Sequence, residues 1–326
     1  MNRLENVAEV APDRSAAPAP APADLPVQGG LDDAPKDRRV IGPPRSSWYV
    51  VASERQLRRA RTVDISLLGE PLQVQPGATG PVARSLADGR EIPLKVAHGL
   101  IWLCLGDVDH APELPGLIEG VVPIAESAVR ARCEFDQAVL GLVDPAHVPM
   151  IHQSWWWRPP SKARRVKTKA YDPSPFGFTA RAVDAFASAA IYEVVGRQTV
   201  EIEFRLPSVR NERILGQRLR LNNLTTITPL DDGEVLIRNL IYADRPWLRI
   251  LSAPLAVIGA HFLRQDAQIL ERLEKERRAS GPLGLFAGDP DRPSLWYYQL
   301  KAAHAASPKA AGFLNPVRSA ILKWNT

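Results

Sequence analysis

The chain contains few of the residues that define several large protein classes. Only two of its 326 residues are cysteines, Cys104 and Cys133, which excludes a disulfide framework and favours a reducing compartment. The net charge is only +5, and no basic stretch is interleaved with aromatic residues, so nucleic acid is not expected as a partner. The longest apolar run, Leu248 to Leu263, is interrupted by Arg249 and is short for a bilayer. With no apolar signal segment at the start, we expect a cytoplasmic protein without a membrane span.

Composition divides the chain into three parts. Residues 1–45 are rich in Ala, Pro and Asp, and this predicts a disordered tail. Residues 46–110 contain short apolar segments separated by turn residues, which predicts a small β-rich domain. Residues 111–326 are expected to form a larger domain. Four strands are predicted in it, at Phe176–Val183, Thr199–Leu206, Arg218–Thr228 and Glu234–Tyr242. A helix from about Pro254 to Arg278 follows them, and antiparallel strands followed by a long helix indicate an α+β fold.

Two of the six histidines lie close together, in a segment that is unusual for its spacing. His147 and His152 are five residues apart, and Asp144 precedes the first by three. A helix capped by Asp144 with Pro145 at its first position would explain the segment without any function. Residues five apart point about 140° apart on a regular helix, so they would not bind one ion. Pro149 would end or kink that helix, and this makes shared metal binding an equally open interpretation.

A third metal ligand is available on the predicted long helix. Asp266 belongs to a stripe of helical positions that is otherwise apolar, formed with Phe262, Ile269 and Leu273. A carboxylate at such a position is costly unless it is paired or binds a metal. One explanation is an ion pair with a strand arginine such as Arg218 or Arg220. The other is a site of two histidines and one carboxylate, the arrangement associated with non-haem Fe(II).

These motifs resemble a known enzyme family. Asp144, His147 and His152 match the pattern Asp-x-x-His-x-x-x-x-His, which is similar to the mononuclear iron motif in the large subunits of Rieske-type non-haem iron oxygenases. Residues 265–271 resemble the segment that supplies the family's third ligand. Three upstream segments resemble strands of the family's Rieske domain, at 48–52, 67–71 and 99–106. The resemblance runs from about residue 47 to residue 275.

The resemblance implies a fold and a chemistry. Residues 111–326 would form a helix-grip (START/Bet v1-like) catalytic domain, with a curved antiparallel sheet and a long C-terminal helix. Residues 46–110 would be a truncated Rieske-like domain. His147, His152 and Asp266 would bind one Fe(2+), and Asp144 would carry electrons to it in addition to its capping role. The family uses O2 to hydroxylate or oxidatively demethylate small aromatic or heterocyclic substrates.

The chain departs from the family in one respect. A Rieske cluster needs two cysteines and two histidines, which the family supplies as Cys-x-His and Cys-x-x-His. Neither pattern occurs, and the segment between Gln75 and Ile92, where the family carries them, is short. We therefore expect no [2Fe-2S] cluster in this chain. Electrons would come from a Rieske-containing paralogous subunit or from a ferredoxin or reductase, within a hetero- or homo-trimer.

Two other functions fit the same residues. The first is a non-catalytic subunit that binds a hydrophobic ligand or stabilises an oxygenase paralogue. A hydrolase holding zinc at the same three ligands is a further alternative.

Overall fold

The computed structural model describes residues 42–146, 166–182, 198–231, 233–280, 288–307 and 309–325. The predicted ligands His147 and His152 lie outside these ranges, as does the predicted tail 1–45 except for its last four residues. All the described residues belong to one unit, residues 34–326.

Two three-stranded antiparallel sheets precede residue 104. The first has the order β1 (Tyr49–Ser53), β6 (Leu100–Leu103), β5 (Leu94–Ala97), and the second consists of β2 (Val63–Leu67), β3 (Glu70–Pro76) and β4 (Pro81–Ser85). Helix α1 (Glu54–Ala60) connects β1 to β2. Gly99, with φ of +75°, makes the turn between β5 and β6. The short segment between Gln75 and Ile92 holds the tight turn from β3 into β4 and a bridge from Arg84 to Glu91.

A sheet of eight described strands forms the larger part of the fold. Its strands are β7 (Val122–Ala131), β8 (Val166–Ser174), β9 (Gly177–Ala182), β10 (Gln198–Arg205), β11 (Val209–Gly216), β12 (Arg220–Pro229), β13 (Val235–Ala243) and β14 (Ala320–Asn325). Their order is β14-β8-β9-β10-β11-β12-β13-β7, and every described pairing is antiparallel. The four predicted strands are present with ends shifted by a few residues. The α+β prediction is confirmed.

Both faces of the large sheet are covered. One face packs on the first small sheet, in a cluster that includes Trp48, Val50, Leu100, Trp102, Val209, Leu224, Leu240 and Tyr242. The other face lies under three helices, α2 (Phe135–Val143), α3 (Ser252–Ser280) and α4 (Arg292–Ala306). Its cluster includes Phe178, Phe204, Ile237, Leu263, Leu270, Trp296 and Tyr297. Burial of these large side chains holds the helices against the sheet.

The long helix α3 rests on β7 at a glycine. A Cβ atom on Gly259 would lie 2.4 Å from Ser127 Oγ, so only glycine allows this approach. The buried positions of α3 are Leu263, Ala267, Leu270 and Glu274. This differs from the expected stripe, because Leu273 is exposed and Asp266 is half-buried. The expected stripe and the buried stripe are adjacent on the helix. The buried stripe is the one that packs against β7 and α2.

Candidate metal centre

Asp144 lies at the point where α2 ends. Its backbone N–H donates to Leu140 O at 3.0 Å, and its carboxylate Oδ1 accepts the N–H of Ala146 at 2.8 Å. The side chain thus fixes the first turn of the segment that leads to His147. The predicted helix beginning at Pro145 falls mainly outside the described residues. Sequence reasoning missed α2 itself, whose nine residues are too few for a clear helical period.

Helices α2 and α3 lie side by side and antiparallel. Arg277 donates to Glu134 Oε1 at 3.1 Å near the start of α2. Further along, a Cβ on Gly141 would lie 3.6 Å from Leu270 Cδ2. As α2 advances from Glu134 to Gly141, its contacts on α3 move back from Arg277 to Leu270. The next turn of α3 toward its N-terminus contains Asp266.

Asp266 is half-buried at the edge of the packed face of α3. Leu263, Ala267 and Leu270 flank it and are buried. Arg220, one partner considered for an ion pair, binds Asp244 with its Nε 3.1 Å from Oδ2. Asp266 thus lies on the turn of α3 before Leu270, next to the buried stripe of the helix.

The two histidines of the candidate ligand set lie outside the described residues. The ligand set of His147, His152 and Asp266 thus stays a prediction. Within the described ranges alone, no three His, Cys, Asp or Glu side chains are grouped to hold a metal.

The other four histidines have structural contacts or solvent exposure. A ring nitrogen of His98 lies 2.7 Å from Pro115 O. His110 and His304 form a reciprocal pair, with each Nε2 bound to the other's carbonyl oxygen at 2.8 and 3.0 Å. Burial lowers the pKa of both His98 and His304. His261 is exposed on α3, with Nε2 3.2 Å from Gln265 Nε2.

The two cysteines are buried in different clusters. Cys104 belongs to the cluster under the small sheets, and Cys133 to the cluster under the helices. Burial, assisted by Glu274 and Glu271, raises the pKa of Cys133 to about 12. A thiol held in its protonated form is a poor metal ligand.

A buried polar triad anchors α2 to α4. Asp136 Oδ1 accepts hydrogen bonds from Tyr297 at 2.6 Å and from Lys301 Nζ at 2.5 Å. Both donors are buried. Because Asp136 lies on the helix that ends at Asp144, this triad sets the position of the candidate site.

The sheet face under the helices carries polar residues that sequence reasoning missed. Arg210 pairs with Glu212 at 3.1 Å on β11. On the same face, the Asn239 side chain donates to Asn223 Oδ1 at 2.6 Å and to Thr225 Oγ1 at 2.9 Å. In the register, Arg210 is opposite Thr225, and Thr225 is opposite Asn239. Whether these side chains point toward the helices or away from them depends on strand register, which residue types alone do not define.

This polar region extends toward Asp144. Burial raises the pKa of Tyr171 on β8, the Asp144 carboxylate raises it further, and Arg210 opposes the change. Lys169, two residues before Tyr171, has its pKa lowered to about 8 by burial and by Arg210. Asp144 and Arg210 therefore both lie close enough to Tyr171 to affect its pKa.

Solved structures with this fold are known. NdmA of Pseudomonas putida CBB5 with caffeine is 14% identical, with a TM-score of 0.64 over 85% of this chain and 97% of that chain. Dicamba monooxygenase bound to dicamba is 14% identical, with a TM-score of 0.59 over 80% of this chain and 98% of that one. Its structure with non-heme iron and dicamba gives 0.57 over the same shares.

The likeness is one of fold. The antiparallel sheet and long helix match the catalytic domain of Rieske-type oxygenases. No protein-family model and no curated protein sequence matches the chain.

Proposed function

We propose that the chain is the terminal oxygenase subunit of a Rieske-type system, with its electrons supplied by another protein. One observation carries the proposal. Asp144 and Asp266 are the two described members of the iron motif. Asp144 ends α2 and Asp266 lies on α3, and these two helices contact each other where Arg277 donates to Glu134 and where Gly141 approaches Leu270.

The donor types fit ferrous iron. His147, His152 and Asp266 would provide two imidazoles and one carboxylate, which bind Fe(II) on one side and leave positions open. When bound, the iron would supply the site at which O2 and substrate meet.

Asp144 would connect this site to the electron donor. Its carboxylate already accepts the N–H of Ala146, which orients the side chain at the start of the segment leading to His147. A hydrogen bond from His147 to the same carboxylate would hold the imidazole in a fixed tautomer, and would give electrons a short path through bonded atoms.

The substrate would lie between the large sheet and the helices. Arg210, Glu212, Asn223 and Asn239 lie on that sheet face, and Asp144 borders the same region. A mostly apolar pocket with a few fixed polar groups suits a small aromatic or heterocyclic molecule.

The electron donor would be a Rieske-containing paralogue or a ferredoxin. The sequence lacks both cluster motifs, and both cysteines are buried. Activation of O2 needs two electrons, and one ferrous ion readily gives only one, so a second protein is required.

Asp144→Asn tests the electron path. The amide oxygen of asparagine still accepts the Ala146 N–H, so the turn is retained, while the negative charge and the second acceptor oxygen proposed for His147 are lost. We expect the variant to keep its iron while substrate-dependent NADH oxidation falls to background. The assay mixes the chain, a Rieske-type ferredoxin and its reductase with a panel of aromatic and heterocyclic compounds.

The matched control is Asp88→Asn. Asp88 makes the same contact with the N–H two residues ahead, Arg90, at 3.0 Å, but lies after β4 in the small sheet. It should keep full activity. If the wild-type chain binds iron and compounds but never oxidises NADH with any donor, the chain is a non-catalytic subunit.

A further inference from the structure

The N-terminal half of α3 presents an apolar face away from the protein. Helix α3 is preceded by a 3₁₀ turn, Pro246–Leu251. Trp247 is 67% exposed, Ile250 is 80% exposed and Val257 is 68% exposed. Among the described helices, Pro246–Ser280 alone is long and apolar enough to cross a membrane by length and composition, and only 6% of its most apolar stretch is buried.

These side chains form one continuous line. Three residues per 3₁₀ turn place Trp247 above Ile250, and steps of four and three in the α-helix continue the line through Pro254 to Val257. We call these four residues the outer stripe. Leu251 and Ile258, both exposed, flank it.

The opposite side of the helix is the side fixed to the protein. Ser127 Oγ donates to Ala256 O at 2.9 Å, and Gly259 packs against the same serine. Leu263 is buried one turn further on. The outer stripe is therefore not the packing face of α3.

The charges around the outer stripe have one sign. Residues 245–265 include Arg245, Arg249 and Arg264, and contain no aspartate or glutamate. The acid just before the segment, Asp244, is largely buried, binds Arg220 at 3.1 Å and lies 3.6 Å from Arg245. Arg264 falls on the same side of the helix as the outer stripe, about two turns beyond Val257.

We propose that the outer stripe docks this protein on an anionic membrane surface. An exposed tryptophan, aliphatic side chains on one line and arginines such as Arg249 and Arg264 beside them are the features of helices that lie in the lipid headgroup region. Such a helix rests on the bilayer and does not cross it. A second copy of the chain would fit less well, because the same arginines would face each other with no acid on the segment to pair them.

Vesicle binding tests this independently of any oxygenase activity. The full chain is mixed with vesicles of phosphatidylcholine alone, or with added phosphatidylglycerol, and sedimented. We expect binding that increases with phosphatidylglycerol and weakens with salt. Trp247→Ser with Ile250→Ser should weaken it by at least about tenfold, because both side chains leave the apolar phase.

Leu314→Ser is the matched control. Leu314 is 83% exposed but lies outside the helix, so vesicle binding should not change. Circular dichroism shows whether each variant stays folded. The dependence of vesicle binding on salt and on phosphatidylglycerol is measured on the wild-type chain alone, so it tests the proposal even if a variant unfolds. The proposal is overturned if the wild-type chain stays in the supernatant with both vesicle types. It is also overturned if light scattering shows a wild-type oligomer that the double substitution splits into single chains.

Discussion

The buried charge of Lys301 gives the clearest prediction for a single residue. Asp136 contacts it at 2.5 Å, while burial lowers the pKa of the lysine and the carboxylate opposes that change. Asp136→Asn should therefore lower the free energy of unfolding by about 3 kcal/mol, because the buried Lys301 cation loses the negative charge that it contacts at 2.5 Å. Urea unfolding measures this. Adding Lys301→Met should recover part of the loss, and strictly additive effects would contradict a direct pair.

His304 makes stability depend on pH. Its pKa in the folded chain lies below the usual value, mainly through burial, so the unfolded chain binds the proton more readily. Stability should thus be complete above about pH 6.5 and decrease as the pH falls below it. His304→Gln keeps a donor for His110 O but does not titrate, so the decrease between about pH 7.5 and about pH 5.5 should become smaller. The pKa of His98 is also lowered, so part of the dependence of stability on pH should remain in the variant. An unchanged pH dependence in the variant would show that His304 is not responsible.

Residue types in the sequence indicated some of the site residues and hid others. Asp144 and Asp266 could be selected because each lies in a distinctive pattern of spacing. Arg210 and Glu212 could not, because they alternate on β11 with Asn211 and Arg213, which are also polar. A strand with polar residues on both faces gives no sign of which face is inside.

At the scale of elements, the contact between α3 and β7 determines where Asp266 lies. Gly259→Ala would place a Cβ 2.4 Å from Ser127 Oγ. Alanine favours a helix by about 1 kcal/mol over glycine, but the close contact should cost about 1–3 kcal/mol. We expect a net loss of stability in thermal unfolding. Adding Ser127→Ala should restore it, and a stabilised single variant would mean that the contact is looser than described.

Elements with a strong period were predicted and short or polar ones were not. The long helix and four strands were identified because their apolar residues repeat at the helical or strand spacing. Strands β7 and β11 carry charged residues that pair across the sheet, as Arg213 does with Glu201 at 2.5 Å and Arg130 does with Glu234 at 3.2 Å. Such pairs stabilise strands without an apolar pattern.

At the scale of the whole molecule, the link between the small sheets and the large sheet has a polar anchor. Arg205 on β10 donates to the backbone oxygens of Glu113 and Leu114 at 3.0 and 3.1 Å, and Asn211 donates to Gly116 O at 2.8 Å. Residues 113–116 are thereby tied to the large sheet. The fold class followed from the order of strands and helix, whereas these long-range contacts depend on the assembled sheet.

Iron content tests the central proposal most directly. The wild-type chain and His147→Ala, His152→Ala and Asp266→Ala are purified without oxygen and their metals are measured. We expect about one iron per chain in the wild type and less in each variant, since loss of one of three protein ligands weakens iron binding. His261→Ala, on the exposed side of α3, is the control and should keep its iron. If all three variants held as much iron as the wild type, or the wild type held zinc alone, the proposed iron site would be wrong.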